Sequence, residues 1–305
     1  MTTDQLTDGR ITVKLSNAGK MLFPGDGITK GDLVRYYFGA ADAMLPLLRD
    51  RPLTLVRYPD GITAGGVLQK NAPRYFPDWI RRAPVPKQGG GTVQHVIGDK
   101  AATLAYLANQ ACIELHAALS RTTALECPDQ LIFDLDPPDD RHFADVRRAA
   151  RLLRDLLESE LGVTCFVKTT GGKGVHVHVA LQPDEDFDTT RQFARQAAEV
   201  LVAREPGLLT IEQRRDKRGS RIYADIMRNG YAQTAIAPYA VRARPGAPVA
   251  TPLSWAELDD DLSPHDFTIG TVPGRLEHGS DPWAGLPRHR YRLSRARRKL
   301  SRLTP

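Results

Sequence analysis

The stretch LIFDLDPP, residues 131–138, constrains the chain more than any other. Its apolar residues read as a buried strand, yet it carries Asp134 and Asp136 and stops at two prolines. Side chains alternate across a strand, so both acids share one face and Leu135 takes the other. Pro137 and Pro138 cannot donate to a ladder, which places the pair at the strand's end. Like charges this close repel, and partial burial worsens the repulsion. A divalent cation relieves it, and Mg²⁺ or Mn²⁺ suits carboxylate oxygens. The alternative is a pair of acids that caps a loop or neutralises nearby arginines.

Two other segments bear on that choice. RIYADIM (221–227) alternates Ile222, Ala224 and Ile226 with Arg221, Tyr223 and Asp225, which puts Asp225 on the polar face of a strand. Two carboxylates joined by a third from a distant strand form the usual cage for two-metal phosphoryl or nucleotidyl transfer. A salt bridge from Asp225 to Arg228 is the plainer reading. TTGGKGVHVHV (169–179) lacks Walker A spacing, and a strand follows it instead of a helix. It reads as a tight strand–turn–strand that can offer backbone N–H groups, Thr170 and Lys173 to phosphate. Val175, Val177 and Val179 then face one way, His176 and His178 the other. Either histidine could instead be a packed side chain. The acidic runs DEDFD (184–188) and ELDDDL (257–262) read as solvated acids at helix starts, not as metal sites.

Elsewhere, helical spacing of Leu33, Tyr36, Tyr37, Ala40, Ala43, Met44 and Leu47 predicts a helix over 29–48. Strands are expected at 53–59, 80–86, 92–97, 112–117, 164–170 and 174–181, with a loop over 62–78. Helices are expected at 101–109, 143–162 and 187–205, and another starts at the capping box of Ser254 and Glu257. Strands and helices mix without strict βαβ alternation, so the expected class is α+β with mostly antiparallel central sheets flanked by helices. Cys112, Cys127 and Cys165 show no C-x-x-C spacing, which argues against a disulfide framework or zinc ribbon. No run approaches the roughly 20 apolar residues of a membrane span, and the start lacks a signal-peptide pattern. A cytoplasmic protein with no membrane partner is expected. The net charge of +6 suits a polyanion such as nucleic acid. From Arg288 the last eighteen residues hold eight Lys or Arg and no acid, so a flexible or weakly helical basic tail is expected over 287–305.

The D-x-D strand, GKGVHV with His176, and the later Asp225 occur in an order that resembles the archaeo-eukaryotic primase superfamily. The likeness is closer to one branch, the bacterial end-joining polymerase domain, found within the multifunctional DNA ligase D or alone. RPLTLVRYPDG, LQKNAPRYFPDWI, NQACIELHAALSR, LIFDLDP, TTGGKGVHV, RNGYAQTAIAPYAVRARPGAPVATPLSW and DPWAGL carry it over about residues 10–286. The resemblance implies a primase-polymerase domain over 1–286 with an RRM-like catalytic core, here in stand-alone form. It implies template-directed addition of nucleotides, rNTP favoured over dNTP, to 3′-hydroxyls at DNA gaps or double-strand breaks. Asp134, Asp136 and Asp225 would hold Mn²⁺ or Mg²⁺. Thr170, Lys173, His176, Arg218 and Arg242 match positions that hold the triphosphate or line its pocket, and His116 matches an active-site histidine. Asn17, Lys20 and Lys30 match a pocket for a DNA 5′-phosphate. Ku and a separate DNA ligase are the implied partners, in a nucleoid-associated setting. Where the branch stacks its template base on two adjacent aromatics, this chain has Val67 and Leu68, which weakens the expected grip on template. A D-x-D glycosyltransferase and a non-catalytic DNA-end-binding protein are the competing readings.

Overall fold

The computed structural model describes residues 5–279 and 281–303. Two compact units emerge, and the chain passes between them several times. One comprises Met1–Thr123, Thr234–Thr251 and His265–Asp281; the other comprises Ala124–Gln233, Pro252–Pro264 and Pro282–Pro305.

Unit 1 begins with a hairpin of β1 (Gln5–Asp8) and β2 (Ile11–Lys14), then a second pair, β3 (Met21–Phe23) and β4 (Ile28–Thr29). Thr29 starts α1 (Lys30–Gly39) with a reciprocal cap. Its hydroxyl accepts from Asp32 N–H at 3.2 Å, and the Asp32 carboxylate accepts from Thr29 N–H at 2.8 Å. The helix expected over 29–48 is in fact two, because the chain breaks at Ala40 before α2 (Ala41–Leu48). There follow β5 (Pro52–Arg57), β6 (Val67–Gln69), β7 (Arg82–Pro86), β8 (Thr92–Ile97), α3 (Ala101–Asn109) and β9 (Cys112–Ala118). The expected 62–78 loop therefore contains a short strand, β6, paired with β5.

Unit 2 runs through β10 (Gln130–Asp136), α4 (Phe143–Asp155), β11 (Phe166–Thr169), β12 (Val175–Ala180), α5 (Phe187–Arg204), β13 (Leu209–Thr210) and β14 (Ile222–Asp225). The chain then returns to unit 1 as β15 (Thr234–Ile236), to unit 2 as β16 (Pro252–Leu253), to unit 1 as α6 (Val272–His278) and to unit 2 as α7 (Leu293–Leu300).

In unit 1 the antiparallel order is β15-β9-β5-β8-β7, with β6 also on β5. Leu33, Tyr37, Met44, Leu104 and Leu107 from the helices join Leu53, Leu55, Ile113 and Leu115 from the sheet in one buried cluster. Each such side chain contributes roughly 1.5–3 kcal/mol by leaving water. Tyr37 buries its hydroxyl there at little cost, because it donates to the Ile113 carbonyl at 2.7 Å and accepts from Val241 N–H at 3.0 Å.

In unit 2 the order is β13-β14-β10-β12-β11-β16, antiparallel except for β13 with β14. The central four strands, β14-β10-β12-β11, with α4 and α5 following β10 and β12, give the RRM-like core. Leu131, Phe133, Leu135, Val175, Val177 and Val179 form the fully buried face of this sheet. Helix α4 runs on into a π-helical turn, Leu156–Leu161, and ends at Gly162 in the left-handed conformation.

Two expectations need correcting. Ser254 and Glu257 do close their cap, with Ser254 N–H and hydroxyl donating to the carboxylate at 2.8 and 2.9 Å, but only a turn follows. The carbonyls of Leu258 and Leu262 are taken by Arg151 and Arg147 at 2.6 and 3.0 Å, and no apolar repeat follows to bury a helix. Nor do residues 287–303 form a separate tail. Tyr291 N–H donates to Ala180, Gln182 N–H donates to Tyr291, and α7 buries Leu293, Ala296 and Leu300 in unit 2.

Candidate active site

The strand β10 lies between β12 and β14 in unit 2, and its register gathers the acids. Asp134 is opposite His176 on one side and opposite Asp225 on the other, while Asp136 is opposite Tyr223. Directly opposed residues of an antiparallel pair have Cα atoms about 4.5–5.5 Å apart and project to the same face. The sheet thus brings Asp225, far along the chain, onto the face of Asp134 and Asp136. On β11 the next residue in the row is Lys168, opposite His176 and completely buried. The row Asp225–Asp134–His176–Lys168 crosses four strands.

Local donors hold these acids. His176 Nε2 lies 3.5 Å from Asp134 Oδ2, and Arg228 Nε lies 3.8 Å from the same oxygen. Lys173 Nζ lies 3.9 Å from Asp136 Oδ1 and donates to the Pro138 carbonyl at 2.7 Å. Asp225 accepts from Met227 N–H at 2.7 Å and from the Tyr223 hydroxyl at 3.4 Å. These donors do not fully offset the environment. Burial pushes the Asp136 carboxyl above its ordinary range; Lys173 opposes the rise and Asp134 adds to it. Burial likewise raises Asp225, against the Met227 bond and with the Asp134 charge. Among the described residues no three His, Cys, Asp or Glu side chains are already gathered as a metal cage. The donor set is nonetheless chemically suited to a hard cation: three carboxylates on one face, at least two with proton affinity raised by burial and mutual repulsion.

The glycine-rich turn beside this face is shaped by one contact. A Cβ at Gly174 would lie 2.3 Å from the Leu135 carbonyl oxygen, so only glycine lets the turn press against β10. Thr170 closes the turn, its N–H and hydroxyl both donating to the Gly174 carbonyl at 3.1 Å. Lys173 is thereby held over Asp136. Arg218 donates to the Glu212 and Gln213 carbonyls at 2.9 and 2.6 Å, and its guanidinium sits 3.7 Å from the centre of the Tyr223 ring. Its charge reaches Asp136. His178 is a packed side chain, 4.8 Å from the Trp283 ring, with Nδ1 3.2 Å from Gln130 Oε1.

Unit 1 holds the other expected residues. His116 on β9 has Nε2 3.0 Å from Glu114, two residues earlier on the same face. Arg242 Nε donates to Glu114 at 2.9 Å, and Ala243 N–H donates at 3.1 Å. Burial would raise the Glu114 carboxyl, but the His116 bond and the Arg242 charge outweigh it and bring it down to about 2. Asn17, Lys20 and Lys30 do converge in one corner. Lys20 N–H donates to Asn17 O at 2.9 Å, and Lys30 N–H donates to Lys20 O at 2.8 Å. Lys30 is nearly buried, and its ammonium donates to Ser16 Oγ at 3.2 Å. Burial and then the Lys20 charge lower its proton affinity. Lys20 itself is exposed and pairs with Asp60 at 3.0 Å. Val67 and Leu68 are exposed at 59 % and 63 %, so this strand offers two aliphatic side chains to solvent.

Sequence reading missed Lys168 and Glu114. Both carry a period-2 signal: Lys168 falls on the polar face of β11, and Glu114 shares a face with His116.

A family model described as LigD, primase-polymerase domain, matches residues 29–283. The bifunctional non-homologous end joining protein LigD of Bacillus subtilis is 32% identical over 272 residues, 89% of this chain and 43% of that protein. The multifunctional non-homologous end joining DNA repair protein LigD of Mycobacterium tuberculosis is 35% identical over 256 residues, 81% of this chain and 34% of that protein. The chain thus spans less than half the length of these relatives. Among solved structures, the polymerase domain from Mycobacterium tuberculosis ligase D in complex with DNA superposes with a TM-score of 0.84 at 32% identity, covering 92% of this chain and 99% of that one.

Proposed function

Because the chain belongs to the LigD primase-polymerase domain family, we propose that it adds nucleotides, under template direction, to 3′-hydroxyls at gapped or broken DNA. The observation that supports this best is the register setting Asp225 opposite Asp134, on the face that also carries Asp136. Those three carboxylates are the residues that would hold Mn²⁺ or Mg²⁺. Bound there, such ions supply activation of the attacking hydroxyl and charge compensation for the leaving pyrophosphate.

The chain's own side chains supply the rest. His176 and Arg228 steady the Asp134 carboxylate. Lys173 brings an ammonium to the mouth of the acid face, on a turn whose path Thr170 and Gly174 fix. Arg218, stacked on Tyr223 and tied to two carbonyls, offers a positive charge that loses little freedom on meeting phosphate. The family resemblance implies nucleotide contacts for His116 and Arg242, and within unit 1 Glu114 sets the orientation of both. Asn17, Lys20 and Lys30 receive a DNA 5′-phosphate; two nearby ammonium groups, one desolvated, favour a dianion. A preference for rNTP, action alongside Ku and a separate ligase, and a cytoplasmic, nucleoid-associated location complete the reading. No helix among the described residues is long and apolar enough to cross a membrane. Family membership displaces the glycosyltransferase reading.

The test is extension of a 5′-phosphorylated gapped duplex with Mn²⁺ and labelled rNTP or dNTP. Template-dependent product is expected; tight binding without any product would instead favour the non-catalytic end binder. Replacing Lys20 and Lys30 together by alanine should abolish the preference for a 5′-phosphorylated gap, and an unchanged preference would place the phosphate elsewhere.

A further inference from the structure

Eight of the chain's 42 Lys and Arg, and none of its 36 Asp and Glu, lie in residues 288–305. The first 287 residues therefore carry a formal charge of −2 and the last eighteen +8. The chain's net positive charge thus comes from the segment containing α7, while the cations of the remainder, Lys20, Lys30, Lys173 and Arg218 among them, are local and balanced by acids.

That segment is docked in a definite orientation. Helix α7 buries Leu293, Ala296 and Leu300. Arg292 Nε donates to Gln182 at 2.8 Å and lies 3.2 Å from Asp184, and Arg297 lies 3.4 Å from Glu185. These contacts turn the other side of the helix outward. Arg295, Arg298 and Arg302 follow that side at i, i+3 and i+7, and all three are exposed. Beyond α7 the chain closes a tight turn, Arg302 N–H donating to Lys299 O at 3.1 Å and Leu303 N–H to Leu300 O at 2.9 Å, which keeps Arg302 beside the helix's last turn. From 295 to 302 the rise is about 10 Å, roughly three base-pair steps of B-DNA.

We propose that this arginine stripe is a second, sequence-independent binding site for the phosphodiester backbone of duplex DNA, separate from the acid-bearing strands. It rests on the DNA-directed reading above and adds to it a contact that the acids do not supply. Guanidinium groups match phosphate oxygens in pairs. A membrane surface is the poorer fit, because an interfacial helix needs an apolar side to insert, and that of α7 is already buried in unit 2.

The experiment compares wild-type chain with the triple variant Arg295→Gln/Arg298→Gln/Arg302→Gln and with the triple Lys variant of the same positions. Duplex binding is measured between 0.05 and 0.3 M salt, and extension of a gapped duplex is measured at saturating DNA. The slope of log K against log salt should fall by about 2 to 3 in the Gln variant, since each lost phosphate contact removes about 0.9. Affinity at 0.1 M salt should drop on the order of a hundredfold. Extension at saturation and the melting temperature should be unchanged, and the Lys variant should recover most of the slope. An unchanged slope in a folded Gln variant would overturn the proposal, as would failure of the Lys variant to recover any of it. If wild-type chain binds duplex through these arginines yet extends nothing, the stripe stands and the polymerase reading falls.

Discussion

Both units bury carboxylates, and they treat them in opposite ways. In unit 1, Glu114 receives an imidazole, a guanidinium and a backbone N–H, and its carboxyl is pulled down to about 2. In unit 2, Asp136 and Asp225 flank Asp134 on one face, and burial with mutual repulsion pushes both up. The first acid is satisfied by the protein, so it acts as a structural anchor for the groups around it. In the second set, burial and like charge outweigh the neighbouring donors at Asp136 and Asp225, a balance that a bound cation would relieve. Burial alone does not distinguish the two; the sign of the imbalance does.

The largest expected effect attacks the underserved set. Asp134→Asn should lower template-dependent extension about 10³-fold or more, some 4 kcal/mol of barrier, with the fold intact by circular dichroism. Substantial residual extension would place the chemistry elsewhere. Next comes the satisfied acid. Glu114→Gln should cost on the order of 3 kcal/mol at pH 7, since Arg242 loses its buried counter-charge. Glu114 has its folded value depressed from 4.5 to about 2, so its stabilisation is present above about pH 4.5 and lost as pH falls towards 2. The variant's deficit should therefore shrink across that window in denaturant titrations; a deficit constant with pH would show a packing role instead. Smaller again is the response to ions. Mn²⁺ at about 100 times its dissociation constant should stabilise wild-type chain by about 2.7 kcal/mol and leave Asp134→Asn nearly unmoved, read as melting temperature. The smallest is a gain. Without divalent ions at pH 7, Asp225→Asn should stabilise unit 2 by on the order of 1 kcal/mol. Raised acids destabilise above their folded value and cease to do so as pH falls below it, so this gain should fade in mild acid. A loss at pH 7 would show that the Met227 bond outweighs the repulsion.

Much of the acid face was legible because a strand has a rigid period of two. Asp134, Asp136, Asp225 and His176 could each be assigned to a polar face from their neighbours alone. Their mutual placement needed the sheet order, which local pattern does not carry. The capping box at Ser254 was legible as a set of hydrogen bonds but not as a turn, because capping acts locally and a helix also needs an apolar side to bury. The docking of α7 was hidden for a related reason. Leu293, Ala296 and Leu300 keep helical spacing, but the surrounding charge masks them when composition is read first. The break at Ala40 follows Gly39, the last residue of α1, and the π-helical turn at Leu156–Leu161 ends at Gly162; a lone glycine inside a helical pattern does not by itself say that the helix stops or changes its winding there. Glu114 was missed because a glutamate beside a histidine is ordinary until Arg242 is brought to it from far along the chain.

The interleaving of the two units has a consequence for biosynthesis. On the ribosome, β9 is made long before its neighbour β15, and β11 long before β16. The unit nearer the start still awaits α6, and the other awaits Trp283 and α7. Neither unit can close until its late elements have been made, so sheet edges stay open until the chain has been synthesised through α7. A message cut short anywhere before α6 should yield no half-protein that folds, only material for proteases.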